Sequence, residues 1–536
     1  MNFRQISVIG SASLLAINVA VAEDQPEEIP EGATVNKIVL VKRDVFDLSD
    51  EREDNALYRL VNKLHIITKD HTIEKQLLLE PGDVYSARLA EESARLLRSQ
   101  SYLFDASVEA VNNKDGTVDL QVNTKDFWTL KPGLTVSRAG GENKIGVDLE
   151  ELNLLGYGQS IRFGRDEDVD RTSEAFEFND PHIGNSRVRG GFEISDNSDG
   201  NLHTASLIRP FYALDSRWSL GASSLDSDSR TAFYAEGEEQ AEYRQERKLF
   251  TAFGGWSDGL KNGWVQRYRA GLVYDDNKFS TVIDGSFAPL IPEDRRLVYP
   301  FVSVEILEDQ FETTTNKEQI GRTEDFFMGQ RFTATLGYSS KELDADRDAL
   351  LFSSTYSRGF GDLSKKALLT SASVYGRMED GRSRNILLSA NGRYYNKQTE
   401  KHTLFATAEV VRGHSLDLDT VVELGGDTGL RGYPLRYQTG DSKVLFTVEQ
   451  RYFTDWYPFR LFRIGGAIFA DVGRVWGDNV VGEYRHGWLR DVGFGLRFAS
   501  TRTGFRKMVH LDIAFPLDGD NSIDSVQILL ESKRSF

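Results

Sequence analysis

Arg431 stands in the run Leu430-Arg431-Gly432-Tyr433-Pro434, inside a glycine-rich loop that extends over 423–441. A guanidinium is a planar fork of donors that fits a carboxylate with two parallel hydrogen bonds. Three aspartates follow on strand-like segments. Asp471 lies in Phe469-Ala-Asp471-Val-Gly473-Arg-Val-Trp476, Asp491 just precedes Gly493-Phe-Gly495-Leu-Arg497, and Asp512 follows Leu511. The chemistry open to such a set is noncovalent, a charged clamp between a loop and a wall. Gly473, Gly493 and Gly495 would leave space against that wall. Gly432 would allow a tight backbone, and Tyr433-Pro434 would stiffen it. The spacing leaves two readings open: a docked arginine, or an exposed one beside glycines that only relieve strand curvature.

Covalent chemistry has little to work with. The chain has no cysteine, so it offers no thiolate nucleophile, disulfide or thiolate metal site. Its eight histidines form no HExxH motif and no Ser/His/Asp grouping. Gly156-Tyr-Gly158 reads as a turn, because no strand-to-helix context follows it. The expectation is a protein that is not an enzyme, with no cofactor and no catalytic or metal residues. A net charge of -18 excludes nucleic acid as a partner, since phosphate binding needs basic patches.

The elements that would carry the clamp can be assigned by parity, because side chains alternate with period two along a strand. Over 444–453, Val444, Phe446, Val448 and Tyr452 share one face, and Thr447, Glu449 and Arg451 the other. Over 489–498, Val492, Phe494, Leu496 and Phe498 oppose Asp491, Gly493, Gly495 and Arg497. One face suits lipid and the other a wet lumen. Similar segments recur from Phe127 onward. Short connectors and long ones (near 225–246 and 277–296) read as the two rims of a transmembrane barrel. Direct counting finds about 20 strands, with the Arg431 loop after the fifteenth, over roughly 400 residues. A mean hydropathy of -0.41 does not oppose this, since a membrane barrel hides its apolar residues in alternation.

The N-terminal part is different. Residues 1–22 read as a secretory signal peptide: Arg4, an apolar run from Ile6 to Val21, and a small-x-small site at Ala20-Val21-Ala22. Residues 23–34 are an acidic, proline-containing leader. Residues 35–126 form an α+β unit in the order strand, helix, helix, strand, strand. Asp50 with Glu53 suggests a capping box. The following helix would bury Ala56, Leu57, Leu60, Val61 and Leu64, and Thr72–Leu79 would be extended.

That order resembles a POTRA domain, with Leu79-Glu-Pro-Gly-Asp83, Tyr85-Ser86, Arg95-Leu-Leu-Arg98 and Tyr102-Leu-Phe104 as its specific parts. Leu430–Pro434, Phe469–Trp476, Gly493–Arg497, Leu511-Asp512 with Phe515-Pro-Leu517, Glu151–Gly158 and Phe178–Pro181 together resemble the BamA/TamA-type outer-membrane assembly and secretion superfamily. The resemblance implies a periplasmic POTRA domain and an all-β antiparallel transmembrane barrel over 127–536. It implies sixteen strands where direct counting gives about 20. It also implies that Arg431 contacts Asp471, with Phe469, Gly432, Tyr433, Gly473, Gly493 and Gly495 around them, and that Phe536 ends an assembly signal. The implied location is the outer membrane of a Gram-negative bacterium.

The implied function is assembly, insertion or translocation of proteins, with client strands bound by β-augmentation at the POTRA domain and barrel seam. Partners would be unfolded or extended clients, outer-membrane lipid and lipopolysaccharide, and periplasmic accessory proteins. A passive outer-membrane channel, adhesin or receptor on the same architecture is the alternative.

Overall fold

The computed structural model describes residues 32–282, 291–478, 487–504, 508–519 and 523–533. The signal peptide, most of the leader and Phe536 lie outside the described residues. The N-terminal unit opens with strand β1 (Val35–Arg43). Helices α1 (Ala56–Leu64), α2 (Asp70–Glu74) and α3 (Ala87–Arg98) follow, and the hairpin β2 (Leu103–Asn112) and β3 (Val118–Asp126) completes it. The sheet order is β1-β3-β2, with β1 parallel to β3 and β2 antiparallel to it. Ile73, Leu77, Leu97, Tyr102, Leu103 and Val122 fill the space between sheet and helices.

Three local expectations change. The Thr72–Leu79 segment opens with the last part of a helix, α2. There Ile73 is fully buried, and the Thr72 hydroxyl donates to the Gly156 carbonyl at 2.9 Å, so tertiary contact overrides β-branched propensity. The cap of α1 is Asn55, whose side chain accepts from the Tyr58 N–H. Glu53 is instead buried under Arg502 from the barrel. Finally, α1 buries Tyr58 and leaves Leu57, Leu60 and Leu64 exposed.

From Leu130 the chain forms a closed antiparallel barrel of twenty strands among the described residues, fifteen before the Arg431 loop and five after it. The sixteen strands implied by resemblance are therefore too few. Strand number follows from how many alternating segments the chain contains, and the period-two count recovers it. The expected long loop at 225–246 is instead strand: Trp218–Ala235 and Glu238–Lys261 stay paired to a tight turn at Glu236-Gly237, both at positive φ. That is the backbone a two-residue hairpin requires. A strand of 24 residues at about 3.3 Å each far exceeds a bilayer core of about 30 Å, so the hairpin projects beyond it.

Apolar residues face outward around the barrel, among them Leu134, Val147, Phe163, Leu220, Leu272, Val302, Leu336, Ile468 and Phe494. Two hairpins enter from opposite ends. The Arg431 loop contains a short ladder of Val422–Leu424 with Gln438–Gly440. On the periplasmic side, Phe311–Thr315 pairs with Thr323–Phe327.

Candidate functional site

The wall beneath the Arg431 loop is built from the Ser442–Phe453, Phe462–Trp476, Leu489–Ser500 and Met508–Pro516 strands. Their inward positions carry Glu449, Arg451, Asp471, Asp491, Arg497 and Asp512, all buried. Register makes Asp471 and Asp491 direct cross-strand partners. Two like charges facing each other are unfavourable. The loop meets both. Arg431 donates from Nε to Asp471 Oδ2 at 2.7 Å and from Nη2 to Asp471 Oδ1 at 2.9 Å. The next residue, Gly432, donates its backbone N–H to Asp491 Oδ2 at 3.0 Å. Arg431 Nη1 also donates to Glu449 at 2.9 Å, and Asp512 lies 3.7 Å away. The guanidinium rests 3.4 Å above the Phe469 ring, the geometry of a cation–π contact.

The glycines have individual reasons. A Cβ on Gly432 would come 2.8 Å from Asp491 Cβ, and one on Gly473 would come 2.9 Å from Leu424 of the loop. A Cβ on Gly493 would strike the Phe469 ring, and one on Gly495 the Asp512 carboxylate. Tyr433 is fully buried, its hydroxyl donating to the Arg490 carbonyl at 2.7 Å. Leu424, Leu430, Tyr433 and Tyr437 pack with Leu445, Val475 and Leu489, so the loop has its own apolar contact with the wall. In the turn between the Ser160–Glu167 and Thr172–Asp180 strands, Asp170 accepts two bonds from Arg436, at 2.8 and 2.6 Å.

Residues that motif reading does not reach extend the network toward the periplasm. Glu449 also accepts from Arg451 Nε at 2.9 Å, and Arg451 Nη1 donates to the Lys317 carbonyl at 3.0 Å. Lys317 belongs to the periplasmic hairpin. One side of that hairpin buries Phe326 and Met328 against Leu363, Leu369, Tyr395 and Phe405. Its tip buries Ile320 against Phe453, Ala467, Ala499 and Met508 on the other side. The hairpin thus packs along the wall at the periplasmic end, over consecutive strands from Ala349–Asp362 to Met508–Pro516. It also grips the N-terminal unit: Arg98 Nε donates to Asp325 at 2.7 Å, Arg322 donates to the Arg98 carbonyl at 3.1 Å, and Thr323 donates to Asp105 at 2.8 Å. An unbroken chain of contacts runs from α3 and β2 through the hairpin to Arg431. Only the acidic and arginine content of 309–330 hints at this in sequence, because a buried hairpin and a solvated loop have similar compositions.

The N-terminal unit also docks on barrel turns. Asp126 accepts from the Thr68 N–H at 2.7 Å and hydroxyl at 2.8 Å, and Asn153 of a barrel turn donates to Thr68 Oγ1 at 2.8 Å. Burial pushes the Asp126 carboxyl up to about 6. Folding therefore favours its protonated form. That contribution is complete below the ordinary carboxylate range and is lost as pH rises through about 6. Asp126→Asn is expected to flatten this slope, read as thermal stability of the N-terminal unit, or Thr68 amide exchange, across that interval. An unchanged slope would place the titration elsewhere.

Residues 63–125 match the POTRA family model, described as a surface antigen variable number repeat. A stretch of 119 residues, 21% of this chain, is 32% identical to a putative outer membrane protein assembly factor of Treponema pallidum (strain Nichols). The matched stretch spans 14% of that protein's length. Among solved structures, BamA from Haemophilus ducreyi lacking POTRA domains 1-3 aligns over 94% of this chain and 84% of its own, at 13% identity and a TM-score of 0.37. CdiB from Escherichia coli aligns over 94% and 77%, at 11% identity and a TM-score of 0.48.

Proposed function

We propose a strand-handling role for this chain, a BamA/TamA-type outer-membrane protein with a POTRA domain on the periplasmic side of its barrel. Its role lies in outer-membrane assembly or secretion. In the finer reading, an extended client segment adds to the POTRA sheet and then passes to the seam where the barrel closes. POTRA residues 35–126 and barrel residues 127–536 divide the work. The loop pairing of Arg431 with Asp471 braces the wall next to that seam.

One observation carries this reading. Between the first barrel strand (Leu130–Ala139) and the last (Gln527–Lys533) the register holds a single pair, Leu530 with Arg138, among the described residues. The neighbouring junction is zipped from Met508 with Lys533 to Ala514 with Gln527. A nearly unpaired strand edge is a template for another strand. β2, an outer strand of the POTRA sheet, offers the same chemistry in the periplasm. Backbone hydrogen bonding of this kind accepts many sequences. A lumen occupied by a loop and a hairpin favours this reading over a passive pore.

The test uses the cysteine-free background. Arg138→Cys with Leu530→Cys places two thiols at the one paired position of the seam. Oxidation is expected to stop client handling, and a reductant to restore it, with the barrel still folded. The outer-membrane and secreted proteomes of cells relying on this variant provide the readout. Losses among outer-membrane barrels indicate insertion, and losses among exported proteins indicate secretion. Unchanged proteomes with a fully formed disulfide reject the seam as the exit.

A further inference from the structure

Helix α1 of the POTRA domain is amphipathic in the reverse sense to a core helix. Its inward side is held by Tyr58, stacked on Phe46 at 3.9 Å, and by Asn62, whose amide donates to the Phe46 carbonyl at 2.8 Å. Its other side presents Leu57, Leu60 and Leu64, which are 62%, 50% and 63% exposed. The spacing of three and four residues places them on one face. Single exposed leucines are ordinary, but a stripe of three on one short helix marks a docking surface.

Its position identifies the occupant. The Tyr58 hydroxyl donates to the Phe459 carbonyl, and Val61 packs with Trp128 and Leu461 in one cluster. Phe459 belongs to the periplasmic turn before the Phe462–Trp476 barrel strand, and that turn exposes Trp456 (62%) and Phe459 (78%). Aromatic residues at the ends of outward-facing strands mark the bilayer interface. At the other end of α1, the His65 ring lies 6.4 Å from Trp128, two residues before the first barrel strand. The helix therefore runs along the rim from the fourth-last strand to the first, under the seam. The leucine stripe is thus carried by a helix that touches this aromatic rim through Tyr58 and Val61.

We propose that the Leu57-Leu60-Leu64 face of α1 docks into the periplasmic leaflet of the outer membrane at the foot of the seam. The occupant is the phospholipid interface itself. A helix with an apolar stripe lies in such an interface with that face among the upper acyl chains. Arg59 is already held by Asp54 at 2.6 Å, so apolar contact carries the docking more than charge does. This assignment depends on the membrane location of the barrel and is independent of client handling.

The absence of cysteine makes the test clean. Leu60→Cys, carrying an environment-sensitive fluorophore, is reconstituted as the full chain into phosphatidylethanolamine/phosphatidylglycerol vesicles whose upper acyl chains are brominated. Label at Ile468→Cys, outward on the barrel and 68% exposed, and at Val111→Cys, on the POTRA edge strand and 47% exposed, supply the two references. The expected result is quenching at position 60 comparable with position 468 and well above position 111. Adding Leu57→Gln and Leu64→Gln is expected to abolish it while the barrel stays heat-modifiable. Quenching at 60 no greater than at 111 would overturn the proposal, as would quenching that persists in the Gln variant. Shielding of the label by an added client peptide, without lipid quenching, would assign the stripe to protein and overturn it equally.

Discussion

Arg431→Ala is expected to loosen the loop on the barrel wall and impair function while leaving an inserted barrel. The substitution removes the guanidinium that donates to both Asp471 oxygens, and leaves Asp471 facing Asp491 across the strands. Removing one partner of a buried ion pair costs about 3–5 kcal/mol, chiefly because the other charge stays buried and unpaired. Asp471→Ala is expected to have a similar effect through Arg431. The double variant Arg431→Ala with Asp471→Ala is expected to be little worse than either single one, since each already abolishes the same contact. Arg431→Lys is expected to rescue poorly, because a single ammonium cannot reproduce the two-oxygen grip plus the bond to Glu449. Protease cleavage within 415–441 on intact cells, alongside a functional readout, measures the loop and the function separately. Full additivity of the two alanine substitutions in both assays would show that the contact does no shared work.

Deleting the periplasmic hairpin is expected to have the second large effect. Gln310 and Gly329 already approach each other through a backbone hydrogen bond of 3.1 Å. Residues 311–328 can therefore be replaced by an Asn-Gly turn without moving the flanking strands. The loss removes Phe326 and Ile320, which pack on two adjoining arcs of the barrel wall. It also removes the Lys317 carbonyl that Arg451 holds. The expected outcome is a several-fold rise in single-channel conductance in planar bilayers, with greater cleavage of the Arg431 loop. Conductance unchanged from the parent would mean that the mouth is closed by the POTRA domain alone. A rise in conductance with an unaltered loop would separate the plug from the lock and break the chain of contacts through Glu449.

Much of the architecture was legible because alternation is local. Whether Phe446 or Thr447 faces lipid depends on parity, which survives without tertiary information. The same rule gave twenty strands where resemblance implied sixteen. It was less successful where one local pattern serves two environments. The leucines of α1 have the spacing of a core stripe, yet the helix turns Tyr58 inward because Phe46 offers it a stacked ring. Thr72 and Ile73 favour extended backbone in isolation, but α2 forms because the barrel turn at Gly156 accepts the Thr72 hydroxyl. The 225–246 segment looked like loop since its strands are polar on both faces, as paired strands beyond a membrane would be.

For the site, sequence supplied Arg431, the aspartates and the glycines as a set; spacing left open whether the arginine docked, and resemblance alone pointed to Asp471. The register decides what no motif can state: Asp471 and Asp491 are opposite each other, and adjacent loop residues answer them, one by guanidinium and one by backbone N–H. The sequence by itself determined the barrel and its facing, because these rest on periodicity, and its N-terminal unit was legible through resemblance to a POTRA domain. Only the tertiary structure decided that Glu449, Arg451 and a periplasmic hairpin join Arg431 to the POTRA domain. The decisive contacts, Arg451 with the Lys317 carbonyl and Arg98 with Asp325, link residues over a hundred positions apart, and contacts at such range have no local signature.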